Sequence, residues 1–230
     1  MPEVNRRELK YRLNAAQIPA IRRRLSAFLL PDDHGGADGY SVRSLYFDTP
    51  ADSDFWDKVD GIDCRQKIRL RIYGESGPVK LELKQKNGGF QRKRSIPISR
   101  EEAVALMAGN WEFLRQRQEP VAGTLYRMLL LGCYRPKCIV QYRRVALCAP
   151  ENDIRVTFDC DLRASESSQA LFDFSAPLYP VEPPEAVTLE VKYSGFLFSN
   201  VKLALGREIG PQISSSKYCR ARCISKHGGK

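Results

Sequence analysis

Hydrophobic and polar residues alternate along much of this chain. Over Glu8–Leu13 the charged Glu8, Lys10 and Arg12 fall on one side and Leu9, Tyr11 and Leu13 on the other. A period of two marks a half-buried strand. The rhythm recurs over Ser41–Asp48, Gln66–Tyr73, Val79–Lys86, Phe90–Ile98, Cys138–Leu147, Ile154–Leu162 and Ala186–Tyr193, which predicts about eight strands. Asn87-Gly88-Gly89 joins two of them as a hairpin turn. A helical period interrupts the set. Ile18, Ile21, Leu25, Phe28 and Leu29 share one face of Ala15–Leu30, with Asn14 as its cap and Pro19 in its first turn. Ser99 and Glu102 spell a capping box before Ala103–Met107. Shorter helices are expected from Asn110 to Arg117, over Gly123–Leu131 and around Phe198–Leu205. The connections are too short for repeated crossover helices, so the pattern predicts an α+β fold with an antiparallel sheet. Segments 31–39, 87–89 and 175–185 read as loops. With no internal repeat and no long linker, a single domain over 1–230 is expected, frayed at 1–5 and 224–230.

The polar faces of these strands are unusually basic. They carry Lys10 and Arg12; Lys67, Arg69 and Arg71; Lys80, Lys84 and Lys86; Arg92 and Arg94; Arg144; Arg155 and Arg163; and Lys192. Only Glu8, Glu82, Asp159, Asp161 and Glu190 oppose them. Like charges about 5 Å apart across neighbouring strands repel. Such a face is expected either to be covered by a polyanion or to line the inside of a barrel that holds one. The alternative is a two-layer protein whose basic face is simply wet. Lys plus Arg number 37 against 27 acids, a net charge of +10, which fits nucleic acid, an anionic membrane or a phosphate compound. Few aromatic residues alternate with the basic ones, which weighs against stacking on single-stranded nucleic acid. No apolar run reaches the roughly 18 residues of a membrane span; the longest, Tyr126–Cys133, is broken by Arg127. The start lacks the apolar core of a secretory signal, and a cytoplasmic location is expected.

Other chemistry finds little support. Seven cysteines, an odd number, without a signal segment are read as reduced thiols. Cys219 and Cys223 stand four apart on a possible helix, with no further ligand at metal spacing. His34 and His227 are the only histidines, one in a DDHGG loop and one in the polar tail. Zinc, Cys–His and Ser-His-Asp constellations are therefore not expected. Neither G-x-x-x-x-G-K-[ST] nor G-x-G-x-x-G occurs, so phosphate must be handled by side chains. Glu8 with Lys10 (ELK) and Glu190 with Lys192 (EVK) put an acid and a lysine on one face. Carboxylates among phosphate-binding cations hold Mg2+ or Mn2+; equally, they can be internal salt bridges.

The ordered motifs RRELKY (6–11), SLYFDT (44–49), KIRLRIYG (67–74), KLELKQK (80–86), QYRRVA (141–146), RVTFDCDLR (155–163), LEVKY (189–193) and ISSSKY (213–218) resemble the catalytic domain of the vacuolar transporter chaperone family of polyphosphate polymerases, within the triphosphate tunnel metalloenzymes that include CYTH domains. The resemblance implies an antiparallel barrel forming a basic tunnel with flanking helices. It implies that Lys10, Arg69, Arg71, Lys84 and Arg144 grip the triphosphate and the chain as catalytic residues, and that Glu190 holds Mn2+ or Mg2+ with Glu8 as second carboxylate. Lys192, Ser216 and Lys217 are implied substrate contacts, joined by Lys67 and Arg155. The doublet Arg143–Arg144 fits in two registers. One of Arg92, Lys93 and Arg94 should complete the basic wall, and alternation favours Arg92 with Arg94. The implied partners are ATP and inorganic polyphosphate, with no specific nucleic acid and no membrane span. Eukaryotic members also carry an inositol-phosphate sensor and membrane helices, so a stand-alone bacterial-type member is expected. The implied reaction moves the γ-phosphoryl group of ATP onto a polyphosphate chain. Two rivals remain: a triphosphate hydrolase using Glu8 or Glu82, and a non-enzymatic binder of polyphosphate or nucleic acid.

Overall fold

The structure is a computed structural model and describes residues 6–33, 35, 38–88, 90–206 and 209–227. His34 and segments 1–5 and 228–230 lie outside the described residues, as does the side chain of His227. In chain order the elements are β1 (Arg6–Asn14), α1 (Ile18–Leu25), β2 (Leu30–Pro31), β3 (Tyr40–Asp48), α2 (Ser53–Val59), β4 (Arg65–Tyr73), β5 (Val79–Asn87), β6 (Phe90–Ile98), α3 (Arg100–Met107), α4 (Pro120–Leu131), β7 (Arg135–Ala149), β8 (Ile154–Ser165), β9 (Tyr179–Pro180), β10 (Ala186–Ser194), α5 (Ser199–Leu205) and α6 (Lys217–His227). All eight sequence-predicted strands form, and every strand pair whose register is defined is antiparallel. The backbone of α6 is helical to His227.

Helix boundaries follow local chemistry. Asn14 and Gln17 form a capping box, but they open a 3-10 turn at Ala15–Gln17, and α1 begins only at Ile18. Pro19 fits there because its missing N–H is not needed in a first turn. The helix stops at Leu25, short of the expected Leu30, and Phe28 is half exposed. The Ser99–Glu102 capping box opens α3 as the sequence predicts. Asn110–Arg117 contains only a 3-10 turn, Glu112–Gln116. The α4 helix starts at Pro120, a turn before Gly123.

The chain divides into two compact units. The first comprises 1–41, 142–163 and 180–216. Its strands run in the order β1, β10, β8 and the C-terminal part of β7. Val156, Phe158, Val187, Leu189 and Val191 turn one sheet face toward α1 and α5, where Ile21, Leu25, Val201 and Leu205 close the core. The second comprises 42–141, 164–179 and 217–230. Its strands run β3, β4, β5, β6. Leu45, Phe47, Ile68, Leu70, Leu81, Leu83 and Ile96 pack against Leu106 of α3, Leu125 and Leu129 of α4, and Leu171. In both units the apolar face goes to the helices, which leaves the charged face on the other side of the sheet.

Candidate functional site

In the first unit the charged face is a lattice of opposite signs. Glu8 stands directly across from Lys192, and Lys10 across from Glu190. Beyond them, Lys192 faces Arg155 and Glu190 faces Thr157. Lys10 Nζ lies 2.9 Å from Glu8 and 3.6 Å from Glu190. Lys192 Nζ lies 3.0 Å from Glu190 and 4.0 Å from Glu8. Arg144 donates two 2.7 Å bonds to Asp159 through Nε and Nη2, and its Nη2 is 3.6 Å from Glu190. Burial alone would make Arg144 easier to deprotonate; Asp159 outweighs it and raises the guanidinium well above its ordinary value. Arg143, by contrast, is exposed and donates to the Asp38 carbonyl. Of the arginine doublet, Arg144 is the one on this face. Arg155 binds Asp32 and donates to Tyr40 Oη at 2.8 Å. Lys10 also donates to the Ser215 carbonyl at 3.0 Å, beside Ser216. Asp161, which the alternation put on this face, has a left-handed φ of 50° and pairs with Arg163 at an exposed point of β8.

The second unit carries the surplus of positive charge. Across β4, β5 and β6, Lys67 faces Lys84, which faces Lys93, and Arg71 faces Lys80. Glu82 stands among them, directly across from Arg69, and is 1% exposed. Its carboxylate takes Arg69 Nε at 2.7 Å and Nη2 at 2.6 Å, has Lys93 Nζ at 2.6 Å, and has Arg71 Nη1 at 4.0 Å. Burial would raise Glu82; the charges of Arg69, Arg71 and Lys93 overcome this and hold it below the usual carboxylate range. Arg71 Nε donates to Ser44 Oγ at 3.1 Å.

One expectation is corrected here. Lys93, not Arg92 or Arg94, shares the face of Lys84 and Glu82. Asn87 pairs with Phe90, and that register sets Arg92 against Gln85 and Arg94 against Leu83 on the opposite face. Arg94 donates to Gln85 Oε1 there.

Two helices close one end of this face. Asp48 is fully buried; its carboxylate accepts the Asp54 and Phe55 N–H groups of α2 and the Tyr218 hydroxyl of α6, at 2.6 Å. Tyr218 stacks on Tyr46 at 5.0 Å, and Lys67 Nζ lies 5.6 Å from the Tyr218 ring. Arg222 ties α6 to Asp52 and Glu166. These contacts fix the helix that begins with Lys217.

Arg71, Glu82, Arg144, Asp159 and Glu190 are each under 7% exposed, so the picture of a basic face standing open to water fails for them. Among the described residues no group of three or more His, Cys, Asp or Glu side chains is arranged to hold a metal ion. Glu8 and Glu190 do fit one in another way. Both reach the same two ammonium groups, so they are close enough to share one cation. Two hard carboxylates are what Mg2+ or Mn2+ takes when phosphate oxygens complete its shell.

The VTC domain family model matches residues 5–226. The chain belongs to the VTC domain family. With it come the triphosphate tunnel fold and a polyphosphate-related class of enzyme. A solved structure agrees on the fold. This VTC domain is similar to a candidate adenylate cyclase from Bacillus halodurans, at a TM-score of 0.50 and 12% identity, covering 92% of this chain and 95% of that one. It is also similar to a candidate adenylyl cyclase from Hippeastrum with a dominant triphosphatase activity, at a TM-score of 0.49 and 13% identity, covering 82% and 79%. No curated protein matches the sequence. Among the described residues no helix of the VTC domain is long and apolar enough to cross a membrane.

Proposed function

We propose that this protein is a metal-dependent polyphosphate polymerase that transfers the γ-phosphoryl group of ATP to a growing inorganic polyphosphate chain in the cytoplasm. The observation that carries the reading is the row Lys67, Lys84 and Lys93 with Arg71 and Lys80 beside it, like charges placed directly across neighbouring strands with Glu82 as their near counter-charge. Such a row repels itself when empty and is stabilised by a linear polyanion.

The roles divide by unit. In the second, Lys67, Arg69, Arg71, Lys84 and Lys93 grip phosphate, and Lys217 joins them from α6. In the first, Lys10, Arg144, Arg155 and Lys192 do so, with Ser216 beside Lys10. Glu190 and Glu8 would hold the divalent cation, which supplies neutralisation of charge on phosphate oxygens. The nucleophile is the terminal phosphate oxygen of the chain. It is anionic at neutral pH and needs no general base. What opposes reaction is repulsion between two anions, and fixed cations remove it while stabilising a loose phosphoryl-transfer transition state. Side chains seated on paired strands supply the alignment. Glu82 is taken up by three cations, which favours transfer over a hydrolase that would use it to orient water.

Incubation of the protein with ATP and Mn2+, followed by a gel stained for polyphosphate, tests the reading. A ladder of chains is expected. Orthophosphate and ADP without chains would make it a hydrolase, and unconsumed ATP a binding module.

A further inference from the structure

Tyr46 lies on the charged face of β3, directly across from Arg69, and is 5% exposed. Its oxygen accepts a 2.8 Å hydrogen bond from Arg69 Nη1. Its ring is held by the stack on Tyr218, with ring planes 23° apart. Tyr218 is itself fixed, because its hydroxyl donates to Asp48. A phenol both accepts and donates, whereas a guanidinium only donates. The Arg69 contact therefore uses a lone pair of Tyr46 and leaves the O–H hydrogen unused. Among the described residues no acceptor stands within hydrogen-bond reach of that hydroxyl. A buried donor is ordinarily satisfied. An anion bound on this face would supply that acceptor.

We propose that Tyr46 is a phosphate-binding residue whose O–H donates to a non-bridging oxygen of a bound oligophosphate, with Arg69 orienting the phenol. The inference rests on the polyphosphate reading and adds a neutral donor to the cations that grip phosphate in the second unit. Burial would raise the phenol, but Arg69, Arg71 and Lys67 outweigh it and hold Tyr46 below an ordinary tyrosine, which makes its O–H a stronger donor. No proton needs to leave the ring. The contact is an O–H···O⁻ bond, short and charge-assisted. The ligand is a linear triphosphate, either inorganic or the tail of a nucleotide.

Calorimetric titration of the full chain with tripolyphosphate, and separately with ATP, tests this. Tyr46→Phe keeps the ring and its stack and removes only the hydroxyl. Its affinity for tripolyphosphate should fall about tenfold or more, the loss expected for one hydrogen bond to a charged group. A similar loss for ATP shows a contact to the phosphates common to both ligands; a loss confined to one names the source. Tyr218→Phe is the control, since its hydroxyl is already taken by Asp48; its affinity should stay within about twofold. Equal losses in the two variants would show a structural effect and overturn the proposal, as would an unchanged affinity in Tyr46→Phe. Wild-type protein that binds no tripolyphosphate would overturn the polyphosphate reading itself.

Discussion

Removing Asp159 should destabilise the protein far more than removing a surface acid. Asp159 and Arg144 form a two-bond pair with side chains 1% and 7% exposed. Asp159→Ala leaves that guanidinium out of water with Glu190, 3.6 Å away, as the carboxylate left to oppose its charge among the described residues. Breaking a buried pair from one side costs about 3–5 kcal/mol. The residual contact with Glu190 argues for the low end, about 3 kcal/mol. For a chain of this length each kcal/mol moves the melting midpoint by roughly 2–4 °C, so a fall of about 6–12 °C is expected. Asp159→Asn keeps an acceptor for one of the two donors and should lose less. Tripolyphosphate should recover part of the loss, because an anion bound to the folded state supplies the missing charge and stabilises by mass action. Differential scanning calorimetry with and without tripolyphosphate measures both effects. A fall of less than about 2 °C would mean that the pair is screened like an exposed one, and the buried-face argument would be wrong.

Glu190→Gln should reduce Mn2+-dependent turnover to roughly a tenth or less and also lower the melting midpoint, because Lys10, Arg144 and Lys192 all lose a counter-charge; full turnover at saturating Mn2+ would remove Glu190 from the metal. Asp54 is buried beside Asp48, and desolvation with that neighbouring charge lifts its carboxyl to about 8. Its folded value exceeds the unfolded one of 3.8, so the native state keeps a proton that the unfolded chain has released, and stability should decline as pH rises from about 4 to about 8. Thermal melts of Asp54→Asn at pH 5, 6.5 and 8 should show that decline flattened, and an unchanged slope would mean that other groups cause it.

The strands were legible because each has one face on a helix-covered core and the other on charge, so the period of two survives along the whole element. The α2 helix was not. It is seven residues long, and the residue before it, Asp52, has a left-handed φ of 57° and makes no side-chain cap bond. No capping signature marks it. The basic wall was legible as composition but not as pairing. Alternation says which residues share a face within one strand, whereas register says which strand faces which. Treating Asn87-Gly88-Gly89 as a three-residue loop puts Arg92 and Arg94 on the face of Lys84 and Glu82; the observed pairing of Asn87 with Phe90 puts Lys93 there instead. Counting the loop as two residues would have found Lys93. The role of Glu82 as the hub of three cations, and of Glu190 between Lys10, Lys192 and Arg144, is invisible without the cross-strand neighbours. For the same reason a crowded basic face suggests that losing an arginine relieves strain, yet Arg69 is paired with a buried carboxylate, and its removal should destabilise.

The decisive measurement is the fate of the γ-phosphate. With ATP labelled at that position, Mn2+ and a short polyphosphate primer, the label should pass into chains longer than the primer, with one ADP released for each phosphate incorporated. Label recovered as orthophosphate in equal amount to ADP, with the primer unextended, would contradict polymerisation and assign these basic faces to hydrolysis.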